Sequence, residues 1–454
     1  MFDRKKKKSK SPPPLQQPRQ DDNNKYVYQY TVRDPWQWVI SAIATESMTS
    51  VEKFSDLPSA KLATNGSPAA VQQHQPQEAP QQMMSGNPLR ASSARRRQKM
   101  AKERRAALPA TLRWEKINAK TGDIATAVHG TSSALDSLED KDELVRTIQR
   151  CRCEHLNLSP PSVLINWDVS EEECKRVLGD ALPVLPGNPA TYAVLKEPMG
   201  SRGEGVFFVK DAEEIHKIIS EHRQRAQKEP GFLDKLIAAK GRIPSWVLQA
   251  EVAPCLLVKG KHKFHLRSFL VVVENLSHPD ILEVFVYKRH EVRMAATPVA
   301  TDDPSNRDRE AHITNGSSSE TEKRELLDNI KELTDRNMQD KVETFVASVF
   351  GLHLLPDMLG RVKYAASQEG PSQTAHQVRR FAVAAIDMMV CSDDRIYLLE
   401  VNVNPSAPPE NLVNKDFRNH LTGFMQDLID LIMEKPYQNF TLARDLLQRK
   451  GLLD

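Results

Sequence analysis

The chain has 454 residues, of which 27% are charged and only 6% aromatic, with 29 prolines. It is long enough for two or three domains, but this composition indicates that part of it does not build a core. The formal net charge of +3 is too small for the whole molecule to be a polycation. No run approaches the roughly 18 apolar residues of a membrane helix, and the basic, proline-rich start lacks the apolar core of a secretory signal. We therefore expect no membrane partner and a cytoplasmic localisation.

Five cysteines are present, without the spacing of a disulfide framework. Cys151 and Cys153 are separated by one residue and no second such pair accompanies them, so a zinc site is the weaker interpretation. We expect reduced thiols, as in a cytosolic protein.

Residues 1–110 have the composition of a disordered tail, rich in Gln, Pro, Ser, Asn and Ala. Two basic runs lie within it, at 4–10 and 90–105. Each is either a solvated charge run, a localisation signal or a segment that is attracted to a polyanion. Because no aromatic residues are interleaved with them, nucleic acid is the less favoured polyanion, and an acidic protein surface is at least as good. The aromatic island 26–48 is either a docking motif or a short helix that packs on the folded domain.

From residue 112 onward the hydrophobic pattern alternates between helices and strands. It predicts an α+β fold in which antiparallel sheets grip a ligand between them. We divide the chain into a tail (1–110), an N-terminal subdomain (111–190), a core (191–435) and a C-terminal helix (436–454). The predicted helices are 140–150, 170–178, 211–228, two within 320–350, 412–434 and one within 440–453. The predicted strands are 192–196, 205–209, 246–251, 263–274, 281–288, 381–390 and 396–402.

A glycine loop follows the first strand of the core, between Lys196 and Gly205. Gly200, Gly203 and Gly205 allow the backbone to approach phosphate and to direct N–H groups toward it, and Lys196 can add an ammonium. The loop is not a Walker A motif, since its GK[ST] ending is absent and a strand follows. By itself it is equally a structural hairpin.

Lys263, His265 and Arg267 share one face of the predicted strand 263–274, because strand side chains alternate. Phe264 and Leu266 point to the opposite face, toward the core. Three cationic or titratable groups at the start of a buried strand predict an anion site, and the alternative is a solvated edge. The segment 287–293, YKRHEVR, adds positive charge after the next strand.

The last predicted hairpin carries two acids close to its centre. Asp387 and Glu400 are equidistant from the turn Ser392–Arg395, so they are predicted to face each other, with Asn402 on the face of Glu400. Opposed like charges destabilise a sheet, and the flanking sequence is apolar, so such a pair needs compensation. Two carboxylates and an amide suit a hard divalent cation, Mg²⁺ above all. The alternative is an exposed acidic face paired with Arg or Lys.

Three strings, in this order along the chain, resemble the tubulin–tyrosine ligase-like family of ATP-grasp enzymes: KFHLR at 263–267, HITN at 312–315 and LEVNVNPS at 399–406. With the glycine loop upstream, the resemblance covers about residues 191–433. It implies an ATP-grasp fold and an ATP- and Mg²⁺-dependent ligase. That ligase would join a free amino acid, glutamate first of all, to a protein carboxylate through an acyl phosphate. The implied acceptor is tubulin or microtubules, with localisation at the cytoskeleton, a cilium or a flagellum.

The resemblance also implies roles for particular residues. The ATP phosphates would be covered by Lys196, Ser201, Arg202, Gly203 and Gly205. The adenine and the rest of the nucleotide would be contacted by Gln249, Ala250, Glu251, Val252, Lys263 and His265. The amino acid or the acyl phosphate would be bound by Arg267 and Arg293, in a site ordered by Asn315. Mg²⁺ would be held by Asp387, Glu400 and Asn402.

Two positions depart from the family pattern. The family usually has an acid where this chain has His265, and the segment 249–252 lacks the basic and aromatic residues that usually follow its glutamine. Because the metal and phosphate residues are retained, we expect an active enzyme. The alternatives are a catalytically silent, microtubule-associated scaffold and a small-molecule ATP-grasp ligase.

Overall fold

The computed structural model describes most of the chain from residue 128 and short pieces before it. The described residues are 26–30, 36, 38–39, 48–53, 111–113, 128–151, 157–181, 192–198, 200, 203–228, 231–232, 237, 241–275, 278, 281–300, 306–314, 323–369, 380–432, 434 and 436–453.

Fifteen strands are found in these residues: β1 (Tyr26–Tyr30), β2 (Met48–Lys53), β3 (Thr111–Arg113), β4 (Val128–Thr131), β5 (Ser162–Ile165), β6 (Ala193–Lys196), β7 (Val206–Val209), β8 (Trp246–Ala250), β9 (Phe264–Glu274), β10 (Leu282–Tyr287), β11 (Glu291–Met294), β12 (Lys323–Leu326), β13 (Arg380–Val390), β14 (Ile396–Val403) and β15 (Phe440–Leu442). The α-helices described are α1 (Lys141–Arg150), α2 (Glu171–Ala181), α3 (Ala212–Lys228), α4 (Arg309–His312), α5 (Lys331–Thr334), α6 (Met338–Ser348), α7 (Leu355–Glu369), α8 (Lys415–Ile432) and α9 (Ala443–Arg449). Shorter helical turns are Leu327–Asn329, Val349–His353 and Glu410–Leu412.

The strands form two sheets. The smaller has the order β5-β8-β6-β7 and is antiparallel throughout. The larger is centred on β9, which pairs antiparallel with β13 along one edge and with β11 and then β10 along the other. The antiparallel hairpin β13–β14 extends it, and β4 joins β13 in parallel. The predicted α+β class with antiparallel sheets is confirmed.

Side-chain alternation along β9 determines where the large sheet is covered and where it is open. On one face Lys263, His265 and Arg267 are followed by Phe269 and then by further apolar residues. The apolar part packs under α8, whose Phe424 stacks on Phe269 with ring centroids 4.3 Å apart. The polar part lies beyond α8, so it faces the space between the two sheets.

The same change from apolar to polar occurs on β13. Val383 and Ala385 lie under α8, and Asp387 follows on the same face beyond it. Residues 382, 384, 386 and 388 point the other way and belong to the core formed with α6 and α7. The period of two therefore places the polar ends of both strands next to each other.

Two predicted helix starts are confirmed in detail. The Ser170 hydroxyl accepts a hydrogen bond from the backbone N–H of Glu173 at 3.2 Å. The Asp211 carboxylate accepts one from the N–H of Glu214 at 2.8 Å. Both residues act as N-caps, satisfying donors that the first helical turn leaves without partners.

Two predictions of helix in the last third of the chain are wrong in part. Residues 323–326, predicted within a helical stretch, form β12 and pair with β11. Residues 440–442, predicted as the start of a helix, form β15 and pair with β10 before α9 begins. In both places a sheet edge offers backbone partners, and this tertiary pairing outweighs the local preference.

The predicted disordered tail, 1–110, falls largely outside the described residues, but parts of it are ordered. β1 and β2 pair with each other, and β1 pairs with β3. Trp36 is 1% exposed, contacts Phe269 and Phe424, and donates from Nε1 to the Pro405 carbonyl at 2.7 Å. Of the two interpretations of the aromatic island, packing on the domain is the one that the structure supports.

The described cysteines 151, 174, 255 and 391 are not in disulfides. In the part of the chain that the structure covers, no single helix is long and apolar enough to cross a membrane, although the bent pair Met338–His353 and Leu355–Ser367 would pass on length and composition alone.

Candidate active site

A cleft of about 440 Å³ lies between the two sheets, within the size range of small-molecule sites. The small sheet contributes β6, the glycine loop and the end of β8. The large sheet contributes the polar start of β9 and the polar residues of the hairpin β13–β14. The N-terminus of α1 closes one side.

The hairpin β13–β14 places Asp387 opposite Glu400, as predicted. The prediction assumed a regular ladder on both sides of the turn, whereas the structure has a change of register. Near the turn, Met388 pairs with Leu398, whereas one step further Asp387 pairs with Glu400. Leu399 is the extra residue of a β-bulge, which shifts the register at this point. Without the bulge Asp387 would stand opposite Leu399, so the bulge is what turns Glu400 toward Asp387.

Asp387 is 1% exposed and is held by Arg267. The guanidinium donates from Nε to Oδ1 at 2.6 Å and from Nη2 to Oδ2 at 2.7 Å. Burial opposes ionisation of Asp387, but the charge of Arg267 prevails and lowers the pKa of the carboxyl. Burial also opposes the charge of Arg267, yet Asp387 raises the pKa of the guanidinium. The alternative of an exposed acidic face is wrong for Asp387, because this carboxylate is paired with an arginine but is buried.

Glu400 and Asn402 complete the metal end of the cleft. The Asn402 amide donates to Asp387 Oδ2 at 3.0 Å and to Glu400 Oε1 at 3.4 Å. Burial and the neighbouring Asp387 raise the pKa of Glu400, and the charges of Lys141 and Lys196 oppose this rise. Carboxylate and amide oxygens of this kind fit Mg²⁺. The residues present therefore fit the predicted metal, through Asp387, Glu400 and Asn402.

Arg293 lies on β11 directly opposite His265 and beneath the cleft. Its guanidinium donates to Glu291 Oε2 from Nε at 3.1 Å and from Nη2 at 2.8 Å. Burial and the charge of Arg267 lower the pKa of Arg293 to about 10. Arg267 and Arg293 are brought together as predicted, but each already binds a buried carboxylate, and neither is among the described residues that line the cleft. Their predicted contact with an amino acid or acyl phosphate stays a prediction.

The glycine loop lies on the small-sheet side of the cleft. Gly203 and Gly205 have φ of +77° and +69°, the region that favours glycine. The N–H of Glu197 donates to the Gly205 carbonyl at 2.7 Å and closes the loop. Arg309 donates to the Gly203 carbonyl at 2.8 Å and fixes it to α4. The predicted phosphate contacts Ser201 and Arg202 lie outside the described residues.

Lys196, at the end of β6, points into the cleft toward the acids of the large sheet. Burial lowers the pKa of its ammonium to about 8, and the charge of Glu400 only partly counteracts this. An ammonium in this state would be stabilised by phosphate. Lys196 and Glu400 thus mark two sides of a space that suits the phosphates and cation of a nucleotide.

Lys141 is a cleft residue that the sequence interpretation missed. It is the first residue of α1, and its Nζ donates to the Gly200 carbonyl. Its charge also counteracts the rise in the pKa of Glu400. A signal was available: a lysine in the first helical turn opposes the helix dipole, which favours acids there.

The other end of the cleft is an interlocked polar cluster. Lys263 forms a buried ion pair with Glu251, and its Nζ contacts His312 Nδ1 at 2.7 Å and the Tyr192 hydroxyl at 3.3 Å. Burial and the charge of Lys263 lower the pKa of His312 to about 4. The alternative of a solvated edge is therefore wrong for Lys263, and its ammonium already has an anionic partner in Glu251.

The predicted adenine segment comprises the end of β8, an inner strand of the small sheet, and the residues that follow it. The side chain of Gln249 donates to Ser162 Oγ at 3.0 Å, which ties it to β5. Ala250 and Val252 are buried and form an apolar wall with Met389 and Leu399. This wall and the adjoining backbone of 249–252 suit a flat, apolar-faced group such as a base.

His265 lies between the two ends and is 2% exposed. Its Nδ1 is 2.6 Å from Thr314 Oγ1, and its Nε2 is 3.7 Å from Asp387 Oδ1. Burial lowers the pKa of the imidazole to about 3, although Asp387 opposes the shift. Thr314 was not singled out from the sequence, and its neighbour Asn315, predicted as a substrate residue, lies outside the described residues.

Two comparisons with known proteins bear on this site. A family model described as the tubulin-tyrosine ligase family matches residues 136–435. The fold is similar to that of the C-terminal domain from K. lactis Pby1, an ATP-grasp enzyme interacting with the mRNA decapping enzyme Dcp2. The TM-score is 0.51 and the identity 13%, over 92% of this chain and 98% of that chain. At this identity the likeness concerns the fold alone, and it confirms the predicted ATP-grasp architecture. A search of curated proteins gave no match.

Proposed function

Because this chain belongs to the tubulin-tyrosine ligase family, we propose that it ligates an amino acid, glutamate in the first instance, to a carboxylate of tubulin at the expense of ATP. The ligase activity at this coarse level follows from the family and the ATP-grasp fold. The observation that supports a nucleotide and metal site is that Lys196 faces Asp387 and Glu400 across one cleft, and tubulin as the acceptor is supported by the family.

The residues of the cleft divide the work of such a reaction. Lys196 and Lys141, with the backbone of the glycine loop, would hold the triphosphate from the side of the small sheet. Asp387, Glu400 and Asn402 would hold the divalent cation, which when bound neutralises charge on the transferring phosphoryl group. The wall of Ala250 and Val252 would receive the base.

The chemistry then proceeds in two displacements. The acceptor carboxylate takes the γ-phosphoryl group and ADP leaves, which gives an acyl phosphate. The amine of the free amino acid displaces phosphate from it, and an amide or isopeptide bond forms. Arg267 and Arg293 supply positive charge beneath the cleft, and the protein contributes chiefly positioning and charge neutralisation.

An acidic acceptor such as tubulin is supported by the basic runs 4–10 and 90–105, which the sequence places in one segment. This attraction should weaken as ionic strength rises, because exposed charges are screened beyond about 8 Å at physiological salt. We place the protein accordingly in the cytoplasm, with the cytoskeleton.

A second function, a silent microtubule-associated scaffold, is favoured by one observation. Lys263 is held by Glu251, and His265 replaces an acid, so the nucleotide end departs from the pattern that the metal end keeps. A scaffold of this kind would bind microtubules without consuming ATP.

The test incubates the full-length protein with microtubules, ATP, Mg²⁺ and each labelled amino acid in turn. The proposal expects label in tubulin with one amino acid, glutamate first, and none with Glu400→Gln. Incorporation that persists in Glu400→Gln would refute the site, and microtubule binding without any incorporation would favour the scaffold. Incorporation into no form of tubulin, together with ligation of free dipeptides, would favour a small-molecule ligase.

A further inference from the structure

One ring nitrogen of His265, between the two ends of the cleft, has no role in the function proposed above. His265 Nε2 lies 3.7 Å from Asp387 Oδ1, while Nδ1 of the same ring is 2.6 Å from Thr314 Oγ1. Among the residues that the structure describes, Nε2 has no hydrogen-bond partner. The ring is 2% exposed and belongs to the lining of the cleft.

This arrangement is costly unless Nε2 finds a partner. A buried polar atom without a hydrogen bond destabilises the folded state, because it has lost its contacts with water and gained none in return. The ring cannot rotate to relieve the cost without giving up its bond to Thr314. The strand position alone does not require histidine either, since an apolar side chain would fill the same buried place. The orphaned atom therefore points to a ligand.

The surroundings of Nε2 indicate the class of that ligand. Asp387 stands beside it, with Glu400 opposite Asp387 across the hairpin. Two ligands that each lie about 2.1 Å from one cation are about 3.0–3.5 Å apart. The observed 3.7 Å between Nε2 and Oδ1 requires only a small approach to reach this range.

We propose that His265 Nε2 is a ligand of the divalent cation together with Asp387, so that the site prefers a first-row transition dication such as Mn²⁺ over Mg²⁺. This inference rests on the function proposed above, in which Asp387, Glu400 and Asn402 hold the metal. It adds one nitrogen donor to an otherwise oxygen-ligand site.

The preference follows from ligand chemistry. Mg²⁺ takes oxygen ligands almost exclusively, whereas imidazole binds the transition dications with affinities that rise from Mn²⁺ toward Cu²⁺. A metal-bound histidine typically donates its other N–H to an oxygen, which fixes the ring and its tautomer. The bond between Nδ1 and Thr314 Oγ1 supplies that contact. Mg²⁺ would still bind through the oxygen ligands, but less tightly.

The experiment measures cation binding to the full-length protein loaded with a non-hydrolysable ATP analogue. Mn²⁺ is followed by electron paramagnetic resonance, and Mg²⁺ by its displacement of Mn²⁺. Pulsed spectra of bound Mn²⁺ should show coupling to a ¹⁴N nucleus, absent in His265→Asp and His265→Gln. In His265→Asp the ratio of Mn²⁺ to Mg²⁺ affinity should fall by about tenfold or more, because a nitrogen ligand is replaced by an oxygen ligand that Mg²⁺ accepts.

Two further variants make the result specific. Thr314→Val keeps the size of the side chain but removes the acceptor for Nδ1, and it should weaken Mn²⁺ binding about tenfold while the ¹⁴N coupling remains. His278→Gln, at an exposed histidine in the turn between β9 and β10, should leave both the coupling and the affinity ratio unchanged.

The outcomes separate this inference from the proposed function. If Mn²⁺ and Mg²⁺ bind with the nucleotide, but the coupling is missing and His265→Asp leaves the affinity ratio unchanged, the inference is wrong and the proposed function stands. If His265→Asp changes nucleotide affinity alone, the ring contacts the nucleotide and the inference is again wrong. If no dication binds with the nucleotide, both fail.

Discussion

Strand alternation brings the polar side chains to both ends of the cleft, the metal end at Asp387 and Glu400 and the nucleotide end at Lys263. The two ends differ in how far their charged side chains are paired within the protein. At the metal end, Asp387 is paired with Arg267, whereas burial and the charge of Asp387 raise the pKa of Glu400 and disfavour its charged form. At the nucleotide end, Lys263 is already satisfied by Glu251 and by the contacts of Tyr192 and His312. The comparison indicates that the metal end is prepared for a charged ligand, whereas the nucleotide end is held together by its own contacts.

The largest effect is expected from Glu400→Gln at the metal end. Loss of one cation ligand should lower ligase turnover by about 10³-fold or more, since a bound cation contributes several kcal/mol to phosphoryl transfer. The free energy of unfolding should stay equal or rise slightly, because burial and Asp387 disfavour the charge of Glu400. The two quantities are measured by ADP formation and by urea denaturation.

Glu410→Gln is the matched control, since Glu410 is exposed and its described ion pair is with the partly buried Arg418 at 2.7 Å. It should change neither quantity appreciably. A large loss of stability in Glu400→Gln would show that Glu400 holds the fold, and would remove the distinction between the two ends.

The next effect concerns the buried pair beneath the metal end. Arg267→Met should lower the free energy of unfolding by about 3–5 kcal/mol, since it leaves the carboxylate of Asp387 buried without its guanidinium. Arg267→Met combined with Asp387→Leu should recover most of this loss. Urea denaturation of the wild type, both single variants and the double variant gives the coupling energy. Additive losses would show that the pair does not matter to the fold.

At the nucleotide end, Lys263→Met should cost about 3 kcal/mol of stability, since Glu251 would remain buried without the ammonium. The double variant Lys263→Met with Glu251→Gln should be restored to within about 1 kcal/mol of the wild type. Thermal unfolding of the four proteins tests this. If Lys263→Met were as stable as the wild type, the pair with Glu251 would not stabilise the fold. The nucleotide end would then not be held together by its own contacts.

The smallest effect is a pH dependence set by Lys196. Its ammonium loses its proton above about pH 8 in the free protein, and phosphate would restabilise the charged form. Nucleotide affinity should therefore fall as the pH rises above 8, by up to about tenfold per pH unit, and binding should take up a proton. Calorimetry in buffers of different ionisation enthalpy measures both.

Lys196→Arg provides the comparison for this experiment. A guanidinium stays charged throughout the range, so its nucleotide affinity should be flat between about pH 7 and 9.5, whatever its absolute value. A wild-type profile as flat as that of Lys196→Arg would show that Lys196 does not meet the phosphates.

Much of this site follows from local sequence, because strand alternation and residue chemistry are local. The shared face of Lys263, His265 and Arg267 and the opposition of Asp387 to Glu400 are both as predicted. The bulge at Leu399 was not predictable in this way, since a bulge depends on how the whole hairpin is bent by its neighbours. The sequence therefore predicts correctly that Asp387 faces Glu400, but it does so with a strand register that lacks the bulge.

Contacts between distant segments were the ones that sequence could not supply. Trp36 lies within a stretch whose composition resembles disorder, yet its ring contacts Phe269 and Phe424 and its Nε1 donates to the Pro405 carbonyl, all of them distant in the sequence. The pairings of Lys263 with Glu251 and of Arg267 with Asp387 likewise depend on how close two sheets or two strands come. Charge type is readable from sequence, but charge compensation is a property of the packed structure.

Calorimetry of ATP binding in the presence of Mg²⁺ tests most directly whether the cleft binds nucleotide, although Lys263 at its nucleotide end is already paired with Glu251. We predict one site per chain, with a dissociation constant in the range of about 1 µM to 1 mM that enzymes show for their substrates, and no measurable binding by Lys196→Met with unchanged folding. Absence of binding by the wild-type protein, or undiminished binding by Lys196→Met, would contradict the account.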